Sequence, residues 1–487
     1  MRRRRRAMRL RTLRRLRRNE LGGQSGHGQG CGRLTESSSL WYKPIIMTAQ
    51  RYHIKGSTAI DISRSIEDGI RAGRLQPGEQ LPSVRALASG LDVSPVTVAS
   101  AYKALRARGM IATGGRRGTQ VAPRPPLGHH ALPPVPEGAR RLFDGNPAPE
   151  LLPSLATFLV RQPDKSRLYD EHPSLPELVE TVRAGLIPDA VPAEQITITN
   201  GAFDAIERVL DAQLSPGDRV GIEDPGYHRA MDLLAAQGLI AEPVRVDERG
   251  PIPASVSEAI KRGIEAIIIT PRAQNPTGAA IDAKRAAELQ KIFAREPGLL
   301  VIEDDHAGAV AGVDYVTFAD ARRPRWAVVR SFSKFLGPDL RVAALTGDEA
   351  TIARVEGRLS AGPGWVSYIL QRLTNAMLTD AKVQKLLRDA TKTYADRRAQ
   401  MIDALARQGV AAIGRSGLNV WIPVQDEQRV VTAVAADGFA IRAGEPFRLQ
   451  APPAVRITVS TLKEEEVEPL AVSLAKALRT RSLVYSA

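Results

Sequence analysis

A lysine and an arginine lie seven positions apart in the stretch Val329–Arg341, and this spacing could hold a phosphorylated aldehyde. Lys334 follows a short apolar strand pattern and stands among small hydroxyl residues. Partial desolvation and nearby cations lower the pKa of a lysine, and its amine can then form a Schiff base. The guanidinium of Arg341 offers a fork of donors for a phosphate group. On its own this pair is a weak signal, because most lysines are solvated surface charges.

Several other segments place polar or aromatic residues at the ends of apolar strand patterns. The segment 195–206 predicts a strand, a glycine turn and the start of a helix, whose backbone N–H groups could bind phosphate. Tyr227 follows a Pro-Gly turn, Asn275 begins an Asn-Pro-Thr-Gly loop, and the run 303–306 contains three carboxylates and a histidine. A strand near the C-terminus contains Arg456. The alternation of strand and helix patterns over residues 142–487 predicts an α/β domain with a largely parallel sheet.

In their order and spacing these motifs resemble the fold-type-I pyridoxal-phosphate enzymes, the aspartate aminotransferase superfamily. The resemblance implies that pyridoxal 5'-phosphate is bound to Lys334 and that Arg341 contacts its phosphate. It also implies that Tyr227 covers one face of the pyridine ring and that Asn275 donates to the phenolic oxygen O3′. The further phosphate contacts that it implies are Gly201, Ala202, Phe203 and Ser331.

The same resemblance assigns roles to the remaining candidate residues. Asp304 would lie against the pyridine nitrogen and keep it protonated, which makes the ring an electron sink. His306 stands where many relatives carry a tyrosine that contacts O3′, and an imidazole can still donate there. Arg456 would bind the α-carboxylate of a substrate or of an effector through two parallel hydrogen bonds. Tyr169 would reach the phosphate bound by a partner subunit, although Ser174 replaces a glycine that is usual nearby.

Some of these residues also have plainer interpretations. Tyr227 could be an ordinary half-buried tyrosine, and Arg456 could be an arginine on a strand surface. The adjacent carboxylates and histidine of 303–306 could suggest a metal site, which we do not favour.

Residues 51–122 have the pattern of a winged helix. Ser57 and Thr58 open a first helix, and a short second helix is predicted over 84–89. Ser94 is a good N-cap, and Pro95 fits the first position of a third helix that extends to about residue 108. Strands are predicted at 110–113 and 119–121, with an arginine-containing hairpin tip at 114–118.

The stretch 75–109 closely resembles the GntR-type winged helix, with its Leu-Pro-Ser, Val-Ser and Ala-Tyr positions. Two short helices joined by a tight turn place the second helix in a major groove of DNA. We expect Tyr102 to pack in the core, and a surface salt bridge is the alternative role for Arg85. The residues that the resemblance implies at DNA are Arg85, Ser94, Thr97 and the wing residues Arg116 and Arg117.

The net charge of +15 is concentrated at the N-terminal end. Residues 1–46 carry +11 and residues 48–123 carry +6, which leaves −2 for the rest of the chain. This division favours a small polyanion-binding module on a nearly neutral body. The block of arginines in 1–46 predicts a disordered basic tail, which is either a segment upstream of a true start at Met47 or an arm that binds DNA. The proline-rich stretch 123–141 predicts a semi-rigid linker.

Cysteine usage and hydropathy favour a cytoplasmic protein, and the resemblance to GntR-type regulators implies a bacterial, nucleoid-associated one. The chain has a single cysteine, Cys31, so no disulfide framework is possible. No apolar run in the sequence approaches the roughly 20 residues of a membrane-spanning helix.

A GntR-type winged helix, a proline-rich linker and an aminotransferase-like domain together resemble the MocR family of bacterial transcription regulators. The resemblance implies a homodimer that binds a double-stranded DNA operator and senses pyridoxal phosphate, or an amino acid, through an aldimine on Lys334. The alternative is an active aminotransferase with an appended DNA-binding domain, because every residue needed for half-transamination is present. A regulator that has lost its cofactor is disfavoured by the retention of Lys334, Asp304, Asn275 and Arg341.

Overall fold

The computed structural model describes residues 52–107, 109–113, 118–122, 135–163, 167–169 and 171–479. The predicted basic tail, the wing residues Arg116 and Arg117, and residues 123–134 of the predicted linker lie outside the described residues. In the described part of the chain, no helix is both long and apolar enough to cross a membrane.

The N-terminal elements have the order expected of a winged helix. They are α1 (Ala59–Arg71), α2 (Val84–Leu91), α3 (Pro95–Ala107), β1 (Ile111–Thr113) and β2 (Thr119–Val121). The strands β1 and β2 pair antiparallel. The second helix is longer than predicted, because it continues to Leu91 before Asp92 adopts a left-handed conformation with φ of 52°. Helix packing around buried aliphatic side chains stabilises this unit, including those of Ile62, Ile66, Val98 and Leu105.

Local capping explains where these helices begin. The side chain of Thr58 accepts a hydrogen bond from the backbone of Asp61, and the Asp61 carboxylate accepts one from the Thr58 backbone, which forms a capping box. Ser83 caps α2 by accepting from the backbone of Ala86. Ser94 accepts from the backbone of Thr97 at 3.1 Å, so it caps α3 as its residue type predicts.

The larger body contains twelve further helices and thirteen further strands among its described residues. The helices are α4 (Leu155–Leu159), α5 (Pro176–Leu186), α6 (Ala202–Gln213), α7 (His228–Ala236), α8 (Pro253–Lys261), α9 (Ala283–Phe293), α10 (Ser333–Leu336), α11 (Glu349–Ala361), α12 (Tyr368–Thr379), α13 (Ala381–Arg407), α14 (Glu427–Ala436) and α15 (Glu464–Arg479). The strands are β3 (Arg140–Arg141), β4 (Ile196–Thr199), β5 (Arg219–Asp224), β6 (Ile240–Asp247), β7 (Gly250–Pro251), β8 (Ile264–Ile269), β9 (Leu300–Asp305), β10 (Trp326–Ser331), β11 (Ala343–Gly347), β12 (Asn419–Pro423), β13 (Phe439–Ala440), β14 (Arg442–Ala443) and β15 (Ala454–Thr458).

An eight-stranded sheet forms the centre of the body, with the strand order β4-β11-β10-β9-β8-β5-β6-β7. Strands β10, β9, β8, β5 and β6 pair in parallel, whereas β11 is antiparallel to both of its neighbours. Val328 and Val329 belong to different apolar clusters, which shows that helices cover both faces of the sheet. The α/β prediction is confirmed.

A second, smaller sheet lies in the C-terminal part of the chain, with the order β12-β15-β14. Aliphatic residues of α13, α14 and α15 pack on it. The short strand β3 pairs in parallel with β13, although Arg140 and Arg141 fall within the stretch predicted as linker. Strand pairing uses backbone groups, so the charged side chains of these two residues do not prevent it. The packed body therefore begins at Arg140.

Candidate functional site

The candidate residues lie at the carboxyl ends of strands of the large sheet. Gly201 follows β4, Tyr227 follows β5, Asn275 follows β8, Asp304 lies near the end of β9, and Lys334 follows β10. Strand β4 is antiparallel to β11, which is antiparallel to β10, so all five strands run in one direction. Parallel strands bring their carboxyl ends to one edge, which is where α/β sheets bind ligands.

Lys334 occupies the first turn of the short helix α10. Its Nζ donates to the carbonyl oxygen of Gly145 at 2.5 Å. Burial, assisted by the positive charge of Arg456 and opposed by Asp144, lowers the pKa of Lys334 to about 8. A larger fraction of this amine than of an ordinary lysine is therefore neutral near physiological pH, and the neutral amine is the form that attacks an aldehyde.

Asp304 is a buried carboxylate without a hydrogen-bond partner among the described residues. Its Oδ1 atom has no hydrogen bond to any described residue, and its residue is 8 % exposed. Burial, with a contribution from Asp305, raises the pKa of Asp304 to about 7. A protonated ring nitrogen placed against Oδ1 would supply the missing partner, so this position fits the role that the resemblance implies.

The adjacent Asp305 has a different environment. Its carboxylate accepts paired hydrogen bonds from Arg272 at 2.9 and 2.8 Å and another from Arg330 at 2.8 Å. Burial alone would raise the pKa of Asp305, but these guanidinium groups hold it below its usual value. Asp305 is thus committed to the protein, and Asp304 is the carboxylate left for a ligand.

The predicted phosphate turn forms a cradle closed by Arg341. Gly201 has φ of 94°, and a Cβ built on it would stand 3.1 Å from Nη2 of Arg341. Ala202 and Phe203 begin α6, whose N-terminal N–H groups favour an anion. Ser331 is buried, and its Oγ accepts from the backbone of Ser333 at 3.3 Å.

Tyr227 lies between the phosphate turn and the small sheet. Its ring meets that of Phe203 edge-on, with 5.5 Å between centroids, and that of His228 at 4.8 Å. Burial raises the pKa of Tyr227. The negative charge of Asp304 adds to this effect, and the positive charges of Arg456 and Arg341 oppose it. The tyrosine is half-buried, as its plainer interpretation also requires, but it stands among the site residues.

Arg456 is buried, which excludes the interpretation of a surface arginine. Its Nη1 donates to Oδ1 of Asn275 at 2.8 Å, and its Nη2 donates to the carbonyl oxygen of Phe143 at 2.6 Å. The guanidinium lies over the ring of Phe447 at 4.7 Å, and its Nε has no partner among the described residues. The bond from Arg456 orients Asn275 through its oxygen, which leaves the amide N–H₂ as the group that could donate to O3′.

His306 makes a bond that the sequence does not predict. Its Nε2 lies 2.8 Å from the carbonyl oxygen of Ala273. Burial and the charge of Lys334 lower the pKa of His306 to about 4, so the imidazole is neutral at physiological pH. Since a carbonyl can only accept, the single proton belongs on Nε2, and Nδ1 can then only accept. The expected donation to O3′ would require His306 to give up this bond.

Backbone carbonyls of the segment 143–146 were missed by the sequence analysis. Phe143 and Gly145 bind Arg456 and Lys334, and the oxygen of Asn146 accepts from Ser460 at 2.5 Å. Any residue type carries a carbonyl group, so no motif reveals such contacts. Phe447 was also missed, because it lies in the connection between β14 and β15 and its role follows only from packing on Arg456.

The predicted DNA-contact residues of α2 and α3 lie on the surface of the winged helix. Arg85 is exposed and forms no ion pair with a described residue, which disfavours the salt-bridge alternative. Ser94 and Thr97 are joined through their hydroxyl groups at 2.9 Å. Tyr102 is 1 % exposed and donates to the carbonyl oxygen of Pro82 at 2.8 Å, so its predicted core position is confirmed.

Tyr169 and Ser174 differ in their exposure to solvent. Tyr169 is 92 % exposed and meets the Trp365 ring edge-on at 5.5 Å. Its contact with a partner subunit stays a prediction. Ser174 is buried, and its Oγ accepts from the backbone of Ile198 at 3.2 Å, which accounts for a serine at this position.

Comparisons with known proteins agree with this two-part construction. Residues 58–121 match bacterial regulatory proteins of the gntR family, and residues 183–474 match aminotransferase class I and II. The vitamin B6 salvage pathway transcriptional repressor PtsJ of Salmonella typhimurium is 41 % identical over 430 residues, which cover 87 % of this chain and 99 % of that protein. The probable rhizopine catabolism regulatory protein MocR of Rhizobium meliloti is 24 % identical, over 70 % of this chain and 76 % of its own.

The chain belongs to the MocR family of GntR-type regulators. This MocR-type chain also has the fold of solved aminotransferases. The kynurenine aminotransferase of Pyrococcus horikoshii gives a TM-score of 0.65 at 22 % identity, over 70 % of this chain and 91 % of that one. An archaeal alanine:glyoxylate aminotransferase gives 0.64 at 25 % identity, over 70 % and 90 % of the two chains.

Proposed function

We propose that this protein is a DNA-binding transcription regulator that binds pyridoxal 5'-phosphate and senses it, or an amino compound, at Lys334. The observation that carries the cofactor assignment is the buried Oδ1 of Asp304, which has no partner among the described residues. A buried polar atom without a partner is costly, and a protonated pyridine nitrogen would satisfy it.

The chain's own groups have separate tasks in this proposal. Arg341, Gly201 and the start of α6 would hold the phosphate, and Tyr227 would cover one ring face. Arg456 binds the side-chain oxygen of Asn275, so the Asn275 amide N–H₂ would be the group to donate to O3′. When bound, pyridoxal phosphate supplies an aldehyde for amines and a ring that withdraws electrons. Lys334, released from the Gly145 carbonyl, supplies the amine that holds it.

The contacts of Lys334 and Arg456 suggest how the site communicates with the rest of the chain. Both cations bind carbonyl groups of the segment 143–145, which follows β3 and the predicted linker. An effector that competes for either cation would release this segment. The effector can shift the equilibrium between the bound and released arrangements of this segment only by the difference in its affinity for them.

The setting of this regulation is also proposed. The protein acts in the bacterial cytoplasm as a homodimer joined through its aminotransferase-like domains, and it binds a double-stranded DNA operator. The relative PtsJ is named a repressor of a vitamin B6 salvage pathway, so genes of vitamin B6 metabolism are the first targets to examine.

The decisive experiment is the absorption spectrum of purified protein with pyridoxal phosphate, before and after borohydride reduction. We expect a visible band in the wild type, cofactor fixed to Lys334 after reduction, and neither in Lys334→Ala. Lys392→Ala, which removes an exposed lysine, is the matched control and should retain the band. A wild type without any band would overturn the cofactor assignment.

An aminotransferase with an appended DNA-binding domain is the second candidate. The observation in its favour is that Lys334, Asp304, Asn275 and Arg456 converge on one site. Multiple turnovers with an amino acid and a keto acid, at about 1 per second or faster, would favour the enzyme. A single half-reaction without turnover, together with operator binding that responds to the ligand, would favour the regulator.

A further inference from the structure

A second arginine stands beside Arg456 on the small sheet. In the antiparallel pairing of β14 with β15, Arg442 is the direct register partner of Arg456. Directly opposed residues of an antiparallel pair project from the same face, with their Cβ atoms about 5 Å apart. Trp421 on β12 is opposed to Arg456 from the other side. One face of the small sheet therefore presents a tryptophan and two neighbouring arginines.

Arg442 is buried without a hydrogen bond or an ion pair to any described residue. Its residue is 6 % exposed. Burial lowers the pKa of Arg442, and the charge of Glu445 only partly opposes this effect. None of its guanidinium nitrogens is fully enclosed, so an anionic ligand can reach them from solvent.

Arg456 also makes no hydrogen bond or ion pair with a carboxylate of any described residue. Its two Nη atoms donate to neutral oxygens, those of Asn275 and Phe143, and its Nε is unpaired within the described part of the chain. Burial and the neighbouring charge of Arg442 lower the pKa of Arg456 to about 10. Asp144 and Tyr227 oppose this effect only in part, so two adjacent arginines favour a ligand with more than one negative charge.

We infer that Arg442 and Arg456 together bind two negative charges on the amino compound that enters the Lys334 site. The ligand is an amino compound that carries two carboxylates, or one carboxylate and a phosphate ester. A single carboxylate would neutralise one guanidinium and leave the other uncompensated beside it. The ring of Phe447, which packs on Arg456, excludes water from one side of the pair. This inference rests on the proposed function of the Lys334 site as an effector site.

Calorimetric titration of the full-length, pyridoxal-phosphate-loaded protein tests the inference. The probes are aspartate and glutamate against asparagine and glutamine, and phosphoserine against serine. We expect the doubly negative member of at least one pair to bind about tenfold more tightly than its neutral-side-chain counterpart, because charged hydrogen bonds are the stronger ones. The pair that discriminates identifies whether a carboxylate or a phosphate is recognised. Equal affinities within every pair, or no binding at all, would overturn the inference.

Variants at Arg442 separate this inference from the proposed function. Arg442→Gln should lower the affinity for the doubly negative ligand about tenfold and leave the affinity for its neutral-side-chain counterpart unchanged. If Arg442→Gln folds poorly, Arg442→Lys is the alternative variant. It keeps the charge and should retain most of the discrimination. Arg322→Gln, at an exposed ion pair with Asp320, is the charge-matched control. If Arg442→Gln takes up cofactor and binds DNA but titrates as the wild type does, the paired-arginine inference alone fails. If the wild-type protein neither takes up cofactor nor binds DNA, the proposed function is refuted instead.

Discussion

The guanidinium of Arg341 lies against Gly201, so close that a Cβ on the glycine would stand 3.1 Å from Nη2. The backbone of Gly201 and the side chain of Arg341 thus form the two sides of one cradle. Gly201→Ala would displace the arginine from the position that we assign to the phosphate. We expect its affinity for pyridoxal phosphate, measured by absorbance titration, to fall about tenfold, the loss of roughly one charged hydrogen bond.

Gly217→Ala is the control for this substitution. Gly217 has nearly the same φ, 98°, but a Cβ there meets nothing within 4 Å. Both variants should lose about 1 kcal/mol of unfolding free energy, because an L-residue is strained at positive φ. Only Gly201→Ala should lose cofactor affinity. Equal affinities in the two variants would refute the cradle.

The buried carboxylate of Asp304 predicts an unusual pH dependence of stability. Folding raises the pKa of this group from 3.8 to about 7. The resulting penalty on the folded state is absent below the lower value, grows between the two, and is complete above about pH 7. Asp304→Asn removes the penalty. The cofactor-free variant should therefore match the wild type near pH 4 and have a higher Tm at pH 8.

Addition of pyridoxal phosphate should reverse this order. The charged Asp304 then pairs with the ring nitrogen, so the wild type should gain more in Tm at pH 8 than Asp304→Asn does. Asp389→Asn, at an exposed ion pair, controls for the loss of one charge. A variant that is less stable than the wild type without cofactor at pH 8 would contradict the assignment of Asp304 as an unsatisfied carboxylate.

Strand ends and helix caps of this protein could be predicted because they depend on residue type at short range. Ser94 caps α3 since its hydroxyl accepts the nearby N–H of Thr97. The apolar run before Asp304 forms a central strand because both faces of that strand are covered. The motifs that follow such strands converge because the strands run in parallel, which the alternation of strands and helices predicts.

Contacts across large sequence separations could not be predicted in this way. The pairing of Arg442 with Arg456 depends on the register of two short strands, and register is set by tertiary packing. The carbonyl oxygen of Gly145 meets Lys334 from a position 189 residues earlier in the chain. The proton of His306 belongs on Nε2 only because the Ala273 carbonyl lies beside it. No residue type signals any of these three relations.

The buried hydroxyl of Tyr102 contributes to the stability of the winged helix. Tyr102→Phe would leave the carbonyl oxygen of Pro82 without the bond that it receives at 2.8 Å. We expect a loss of about 1 kcal/mol of unfolding free energy, measured by urea denaturation. DNA affinity below the unfolding transition should not change, because the side chain is buried. A specific loss of DNA affinity in the stable variant would show that Tyr102 acts at the interface instead.

The wing is predicted to bind DNA through phosphate contacts, although Arg116 lies outside the described residues. Arg116→Ala should weaken binding to all DNA sequences by a similar factor. Because a phosphate contact releases about one counterion, the slope of log K against log salt should fall by about one unit. Fluorescence anisotropy at several salt concentrations measures this slope. An unchanged slope would reject the phosphate contact.

Arg85 offers the corresponding test on the described surface of the winged helix. It is exposed on α2 and forms no ion pair with a described residue, so Arg85→Ala should change the unfolding free energy by less than about 0.5 kcal/mol. If Arg85 contacts DNA, operator affinity should nevertheless fall about tenfold, as one charged hydrogen bond to DNA is lost. Arg74→Ala is the control, because Arg74 is equally exposed but lies over the ring of Tyr52 at 4.7 Å. Equal operator affinities for the two variants and the wild type would remove Arg85 from the interface and leave recognition to α3 and the wing.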